Sequence, residues 1–357
     1  MIRLNLGSIT QDASDRSHES AEPIAPAASH CEDAAARHEL LAHDTTAHDI
    51  AARLTTLLAN RYEILRLIGI GGMASVYLAR HRVHHGLFAI KVLHLSLAED
   101  KNHCESFRRE GLLGARLAGH PNIVSVIDAG EGDGLHYLIM PYIAGEDLDH
   151  LLARIGRFHF TDALLAVIQI NEALLYAWSK GILHCDLTPG NIRLNEFSQF
   201  ILVDFGLASA SSLRQETTET TGSLPIMNYA GTPLYRSPER ILGEPVDIRS
   251  DLYALGAILY ELLTGEAAFH GHTFAEIESK HLAPERPLFH PTLAQHASIL
   301  PVLRSLLARS PGDRFADPAA LKQALRSLTN YPPSPSIQPE ITPEHEIRRP
   351  RRRLSLL

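Results

Sequence analysis

Ile182-Leu183-His184-Cys185-Asp186-Leu187-Thr188-Pro189-Gly190-Asn191, and after it Val203-Asp204-Phe205-Gly206, form the most informative stretch of the chain. A carboxylate and a carboxamide stand five residues apart, and a second carboxylate follows thirteen residues after the Asn. Phosphoryl transfer from ATP calls for such a set: an acid to take the hydroxyl proton, and two oxygen ligands to hold Mg²⁺ against the phosphates. Each short motif is weak alone. Their order, with the partners on either side, makes the pattern specific.

Upstream, from Tyr62, apolar runs of strand length surround Gly69-Ile70-Gly71-Gly72-Met73-Ala74-Ser75-Val76. Glycines let a turn lie close over phosphates and present backbone N–H groups without a blocking Cβ. An ordinary glycine-rich turn reads the same way, so a second feature has to decide. Fifteen residues after Val76 comes Lys91, in Phe88-Ala89-Ile90-Lys91-Val92, one ammonium embedded among apolar neighbours. That is costly unless anions meet it. The α- and β-phosphates of ATP would do so, with a helix carboxylate as orienting partner. Glu110 is the candidate, because i, i+3, i+7 spacing puts it on one helical face with Leu113 and Leu117, away from Arg108, Arg109 and Arg116. A surface acid is the alternative. Gly111 and Gly114 each cost about 1 kcal/mol relative to Ala in a helix, which predicts a mobile element.

Two strand patterns follow, Ile123 to Ala129 and Leu135 to Tyr142, joined by the hairpin signal Glu131-Gly132-Asp133-Gly134. Met140-Pro141-Tyr142-Ile143-Ala144-Gly145 then leaves this region. Pro141 lacks an N–H but keeps its carbonyl, so adenine could bond to that carbonyl and to the Ile143 N–H. Asp147 is placed to accept from ribose hydroxyls or, with equal weight, to cap the next helix. Thr161 to Lys180 has helical periodicity and ends at Gly181, directly before the motif quoted first.

These motifs resemble the protein kinase family, above all the eukaryotic-like serine/threonine kinases of bacteria. The resemblance covers roughly residues 61–329. It includes Gly231-Thr232-Pro233-Leu234-Tyr235-Arg236-Ser237-Pro238-Glu239, Ser250-Asp251-Leu252-Tyr253-Ala254-Leu255-Gly256 and Asp313-Arg314-Phe315. It implies an α+β, two-lobed fold, with a small antiparallel-sheet N-lobe (61–142) carrying one main helix and a larger helical C-lobe (143–329). It also implies a function: transfer of the ATP γ-phosphate to protein Ser/Thr hydroxyls. In that scheme Asp186 handles the hydroxyl proton, Asn191 and Asp204 hold Mg²⁺, Lys91 with Glu110 positions the phosphates, and Thr232 shapes the substrate site beside Asp186. The nucleotide would be lined by Ile68, Gly69, Gly71, Gly72, Val76, Ala89, Lys91, Met140, Pro141, Ile143 and Asp147. Glu239 with Arg314 resembles the family's buried ion pair. Asp251 resembles its catalytic-loop anchor, though a helix N-terminal acid can serve both roles. Expected partners are ATP and protein substrates, with a homodimer for autophosphorylation on Thr217, Thr218, Thr220, Thr221 or Ser223. An unmodified polar loop is the alternative for that segment.

Three positions depart from the family pattern. Cys185 replaces the arginine expected before the catalytic Asp and cannot grip a phosphorylated residue. Thr188 replaces a lysine that would neutralise the transferring phosphate. Losing one charge-assisted contact of roughly 1.5–3 kcal/mol predicts a rate about 10–100-fold lower. Ala74 stands in for the last glycine of the phosphate loop. An ATP-binding pseudokinase scaffold is the rival reading, and a small-molecule phosphotransferase of related fold is a second.

Composition is consistent with this. The chain has 357 residues, 45% of them hydrophobic, enough for a large core. A net charge of −8 gives no general attraction to nucleic acid. Cys31, Cys104 and Cys185 are too scattered for a disulfide framework or zinc module, and suit a reducing, cytoplasmic setting. The sequence shows no apolar run of membrane-spanning length and no signal peptide. Residues 1–60 read as a polar, disordered extension that turns Ala-rich and helical from Ala34 to Leu58, with Leu40, Leu41, Ile50, Leu54 and Leu58 as its apolar positions. Residues 330–357 read as a Pro-rich, basic, solvated tail.

Overall fold

Apolar residues alternating from Tyr62 build a twisted antiparallel sheet in the computed structural model, which describes residues 48–205, 209–210, 233–287 and 290–328. The strands are β1 (Tyr62–Ile70), β2 (Ala74–His81), β3 (Leu87–Leu93), β4 (Asp128–Gly132) and β5 (Leu135–Pro141), in the order β1-β2-β3-β5-β4. Register pairs Val76 with Lys91, Lys91 with Leu138, and Ala89 with Met140. Period-two alternation therefore puts Lys91 and Ala89 on one face and Ile90 and Val92 on the other. Ile90 and Val92 are fully buried.

What they pack against was only partly foreseen. A helix, α1 (residues 48–57), delivers Ile50 and Leu54, and Leu58 follows it, into a core with Tyr62, Tyr77, Ile90, Val92, Leu135 and Ile139. The boundary expected at residue 61 falls between α1 and β1, and the compact unit starts at Ile50, so it includes most of α1. Leu40 and Leu41, the tail and the expected phosphoacceptor segment Thr217–Ser223 lie outside the described residues.

The opposite face of the sheet carries α2 (Lys101–Arg116), capped by Asp100, whose side chain accepts from the Asn102 N–H. Its glycines have a packing role. A Cβ on Gly111 would lie 2.6 Å from Leu138 Cδ2, and one on Gly114 would lie 2.5 Å from Val126 Cγ2. The helix can approach the sheet only where side chains are missing. Gly114→Ala should therefore destabilise the protein by about 1 kcal/mol, because overpacking of about 1–3 kcal/mol outweighs about 1 kcal/mol of helix propensity. Calorimetric melting checks this, and a raised Tm would contradict it.

The strand expected from Ile123 begins only at Asp128. Residues 122–124 instead pair with β9 (Phe200–Leu202), where the Val124 N–H donates to the Leu202 carbonyl (2.8 Å) and the Leu202 N–H to the Asn122 carbonyl (2.9 Å). A free sheet edge in the other lobe captured that stretch. β5 stops at Pro141 rather than Tyr142, and the β4–β5 turn is Asp133-Gly134, both at positive φ. This is the two-residue hairpin geometry that suits strand twist.

The large lobe is helical, so the two-lobed α+β architecture is as expected. It contains α3 (Leu148–Ile155), α4 (Phe160–Ser179), α5 (Pro238–Leu242), α6 (Ile248–Thr264), α7 (Phe274–Leu282), α8 (Pro291–Ala294), α9 (Leu300–Leu306) and α10 (Pro318–Arg326). Short strands β6 (Glu146–Asp147), β7 (Ile182–Leu183), β8 (Ile192–Leu194) and β9 lie beside α4, with β10 (Ser209–Ala210) pairing β7. α4 is long and apolar enough to cross a membrane, yet 61% of its apolar window is buried inside the fold. It packs against α6 and α10, and Asn171 within it donates to the Pro318 carbonyl at 2.8 Å. It is a core helix. As expected it ends just before Gly181, whose φ of +71° makes the turn into β7 and the loop His184–Asn191.

Candidate active site

One side of the cleft comes from the small lobe. β1 and β2 pair up to Gly69–Val76 and Ile70–Ser75, leaving Gly71, Gly72 and Met73 as the turn. A Cβ on Gly69 or Gly72 would meet nothing within 4 Å, so internal packing does not account for glycine at either position. Ile68, Val76, Ala89, Met140 and Ile143 meet in one apolar cluster, joined by Ile201 and Val203 from the other lobe. Five apolar residues expected to line the nucleotide thus share one cluster. Ile201 and Val203 were missed; their signal was their place just before Asp204.

Lys91 ends a convergence of charges. Its Nζ donates to Glu110 Oε1 at 2.7 Å and to Asp204 Oδ2 at 2.9 Å, joining β3, α2 and the segment after β9. Glu110 is buried, so the surface alternative is excluded. Burial opposes the charge on Lys91, but Asp204 and Glu110 outweigh it and hold its pKa above the ordinary lysine range. Burial pushes Glu110 up to about 7 against the pull of Lys91, and the nearby Asp204 adds to the rise. One ammonium thus serves two carboxylates, and the site gains from further positive charge at Asp204.

The loop His184–Asn191 is fixed by its backbone. Asp251, at the start of α6, accepts from the His184 and Cys185 N–H groups, each at 2.8 Å, so the anchoring role is the one it plays. Burial raises Asp251 to about 6 despite these two donors. The His184 ring is fully buried against Phe205, ring centroids 4.6 Å apart, and burial lowers its pKa to about 4. Pro189–Asn191 form a 3-10 turn, and Asn191 Nδ2 donates to the Asp186 carbonyl at 2.9 Å, which fixes the orientation of its amide. Burial raises the Asp186 pKa, with Arg240 opposing. A carboxylate moved in this direction is better suited to accept a proton near neutrality.

Asp147 caps α3, accepting from the His150 N–H at 3.0 Å, and lies 3.8 Å from Arg193. The cap is therefore its observed work. Thr232 lies outside the described residues. Arg193 in β8 was missed: its Nε donates to the Ile143 carbonyl (3.2 Å) and another guanidinium N–H to the Gly145 carbonyl, tying β8 to the interlobe connection. Glu239 and Arg314 form the anticipated ion pair, two bonds of 2.8 Å.

A profile describing the protein kinase domain matches residues 62–326. The chain belongs to the protein kinase domain family. The kinase domain is 37% identical to serine/threonine-protein kinase PrkC of Bacillus subtilis over 72% of this chain and 39% of that protein. It is 36% identical to serine/threonine-protein kinase pkn3 of Myxococcus xanthus, over 76% and 50% of the two chains. It is 35% identical to serine/threonine-protein kinase PknB of Mycolicibacterium smegmatis, over 75% and 43%. The kinase domain thus spans half or less of the length of these curated relatives.

Proposed function

We propose that the chain is a Mg·ATP-dependent serine/threonine protein kinase, acting on protein hydroxyl groups and on copies of itself. The observation that carries this is Lys91 bonded at once to Glu110 and Asp204. Such a cation is set for phosphates and such a carboxylate for a metal. The donor set fits Mg²⁺: Asp204 and Asn191 offer hard oxygens, and the remaining positions suit water and phosphate. Mg²⁺ would screen the phosphate charge. Lys91 holds the phosphates, the glycine turn covers them with N–H groups, and Pro141 and Ile143 receive the adenine. Asp186 orients the acceptor hydroxyl and takes its proton. Few, scattered cysteines support a cytoplasmic setting.

Purified protein is expected to transfer labelled γ-phosphate from ATP to itself or a generic protein, with Asp186→Asn as the blank. Equal labelling by wild type and blank would defeat the proposal. Nucleotide binding without transfer would instead favour the scaffold reading. The residue at 188 sets the rate: Thr188→Lys should raise kcat about 10–100-fold by restoring one charge-assisted contact. Initial rates at saturating ATP test this, and an unchanged kcat would remove Thr188 from the account.

A further inference from the structure

Cys185 sits at φ +63°, a conformation that costs a non-glycine residue about 1 kcal/mol or more and persists only where neighbours enforce it. Asp251 holds its N–H at 2.8 Å. Its carbonyl accepts from the guanidinium of Arg240, which stands 55 positions further along the chain. That arginine is delivered from a fixed base. It follows Glu239 in α5, and Glu239 is secured by Arg314 and by the Ser250 hydroxyl. Its charge also acts on His184, Asp186 and Asp251. Arg236, on the same segment, is engaged by Glu278 at 2.7 Å.

We propose that Arg240 is a positioning residue for phosphoryl transfer, clamping the Cys185 peptide at its carbonyl while Asp251 clamps it at its N–H, and so fixing where Asp186 stands. This rests on the kinase reading above. Neither residue 185 nor residue 188 is a cation in this chain, and the guanidinium arrives from α5 instead. A buried ion pair that looks purely architectural thereby becomes the mount for a part of the catalytic loop.

The test compares Arg240→Ala and Arg240→Lys with wild type by steady-state kinetics, calorimetric melting and amide hydrogen exchange over residues 184–187. Arg240→Ala is expected to lower kcat about 10–100-fold, as displacement of a reacting group by about 1 Å does. KM for ATP should move less than about threefold. Exchange at Asp186 and Leu187 should quicken about tenfold, with Tm little changed. Arg240→Lys, which keeps a donor, should fall between. A kcat within twofold of wild type, or losses in kcat, KM and Tm that run in parallel, would overturn the clamp. Should wild type transfer no phosphate, the kinase reading fails, and exchange alone decides: faster in Arg240→Ala supports the clamp, unchanged defeats it. If Arg240→Ala does not fold, the same measurements on Arg240→Lys decide by the same criteria.

Discussion

Replacing Lys91 by Met is expected to cut phosphoryl transfer by about 10²–10³-fold, the usual loss on removing one preorganised charge from a reacting phosphate. The change also unbalances the cleft. Glu110 and Asp204 would face each other without the ammonium 2.7 and 2.9 Å away that now joins them. Glu110, whose pKa already stands at about 7, is the group that would take a proton in compensation. Initial-rate assays and fluorescent-nucleotide titration check the prediction. Activity retained within tenfold would show that the phosphates are held elsewhere, and the central claim about this site would be lost.

The second large effect concerns stability. Glu239→Ala should destabilise the fold by about 3–5 kcal/mol, since it strands a fully buried guanidinium. Arg314 is 0% exposed at its side chain, bonds both Glu239 oxygens at 2.8 Å, and donates to the carbonyls of Ala308, Arg249 and Arg309. Denaturant unfolding with unchanged m-value would register the loss; a difference under 1 kcal/mol would contradict it. The pH dependence has a definite sign. Burial raises the Glu239 pKa, but bonds from Arg314 overcome that and hold it below 4.5. A carboxylate depressed in the folded state contributes fully above its unfolded value and loses that contribution as pH falls. The gap between wild type and Glu239→Gln should therefore be constant near neutrality and narrow as pH falls below 4.5.

Local patterns made a good part of this site legible. Lys91 was visible because one ammonium in an apolar strand demands a partner, and Glu110 because i, i+3, i+7 spacing turned it inward. Asp186, Asn191 and Asp204 were visible by order along the chain. What escaped notice depends on distant contacts. Gly111 and Gly114 looked like weak points in a helix, and only Leu138 and Val126 pressed against them reveal the reason. Residues 122–124 had a strand pattern whose partner, β9, no local signal could name. Arg240 reads as an unremarkable helix residue until its bond to the Cys185 carbonyl is seen. Ile50 and Leu54 belonged to a segment whose composition suggested an appendage, although both are almost wholly inaccessible to water.

The pairing of residues 122–124 with Leu202 has a mechanical consequence. The polypeptide passes from one lobe to the other at residues 141–147, and the Ile123–Leu202 bridge stitches them a second time. Those two backbone attachments would serve as the pivot, while the side-chain links across the cleft, Lys91 to Asp204 and the contacts of Ile201 and Val203, would have to part for it to open. Nucleotide entry should alter the interlobe angle and leave the Ile123–Leu202 separation constant.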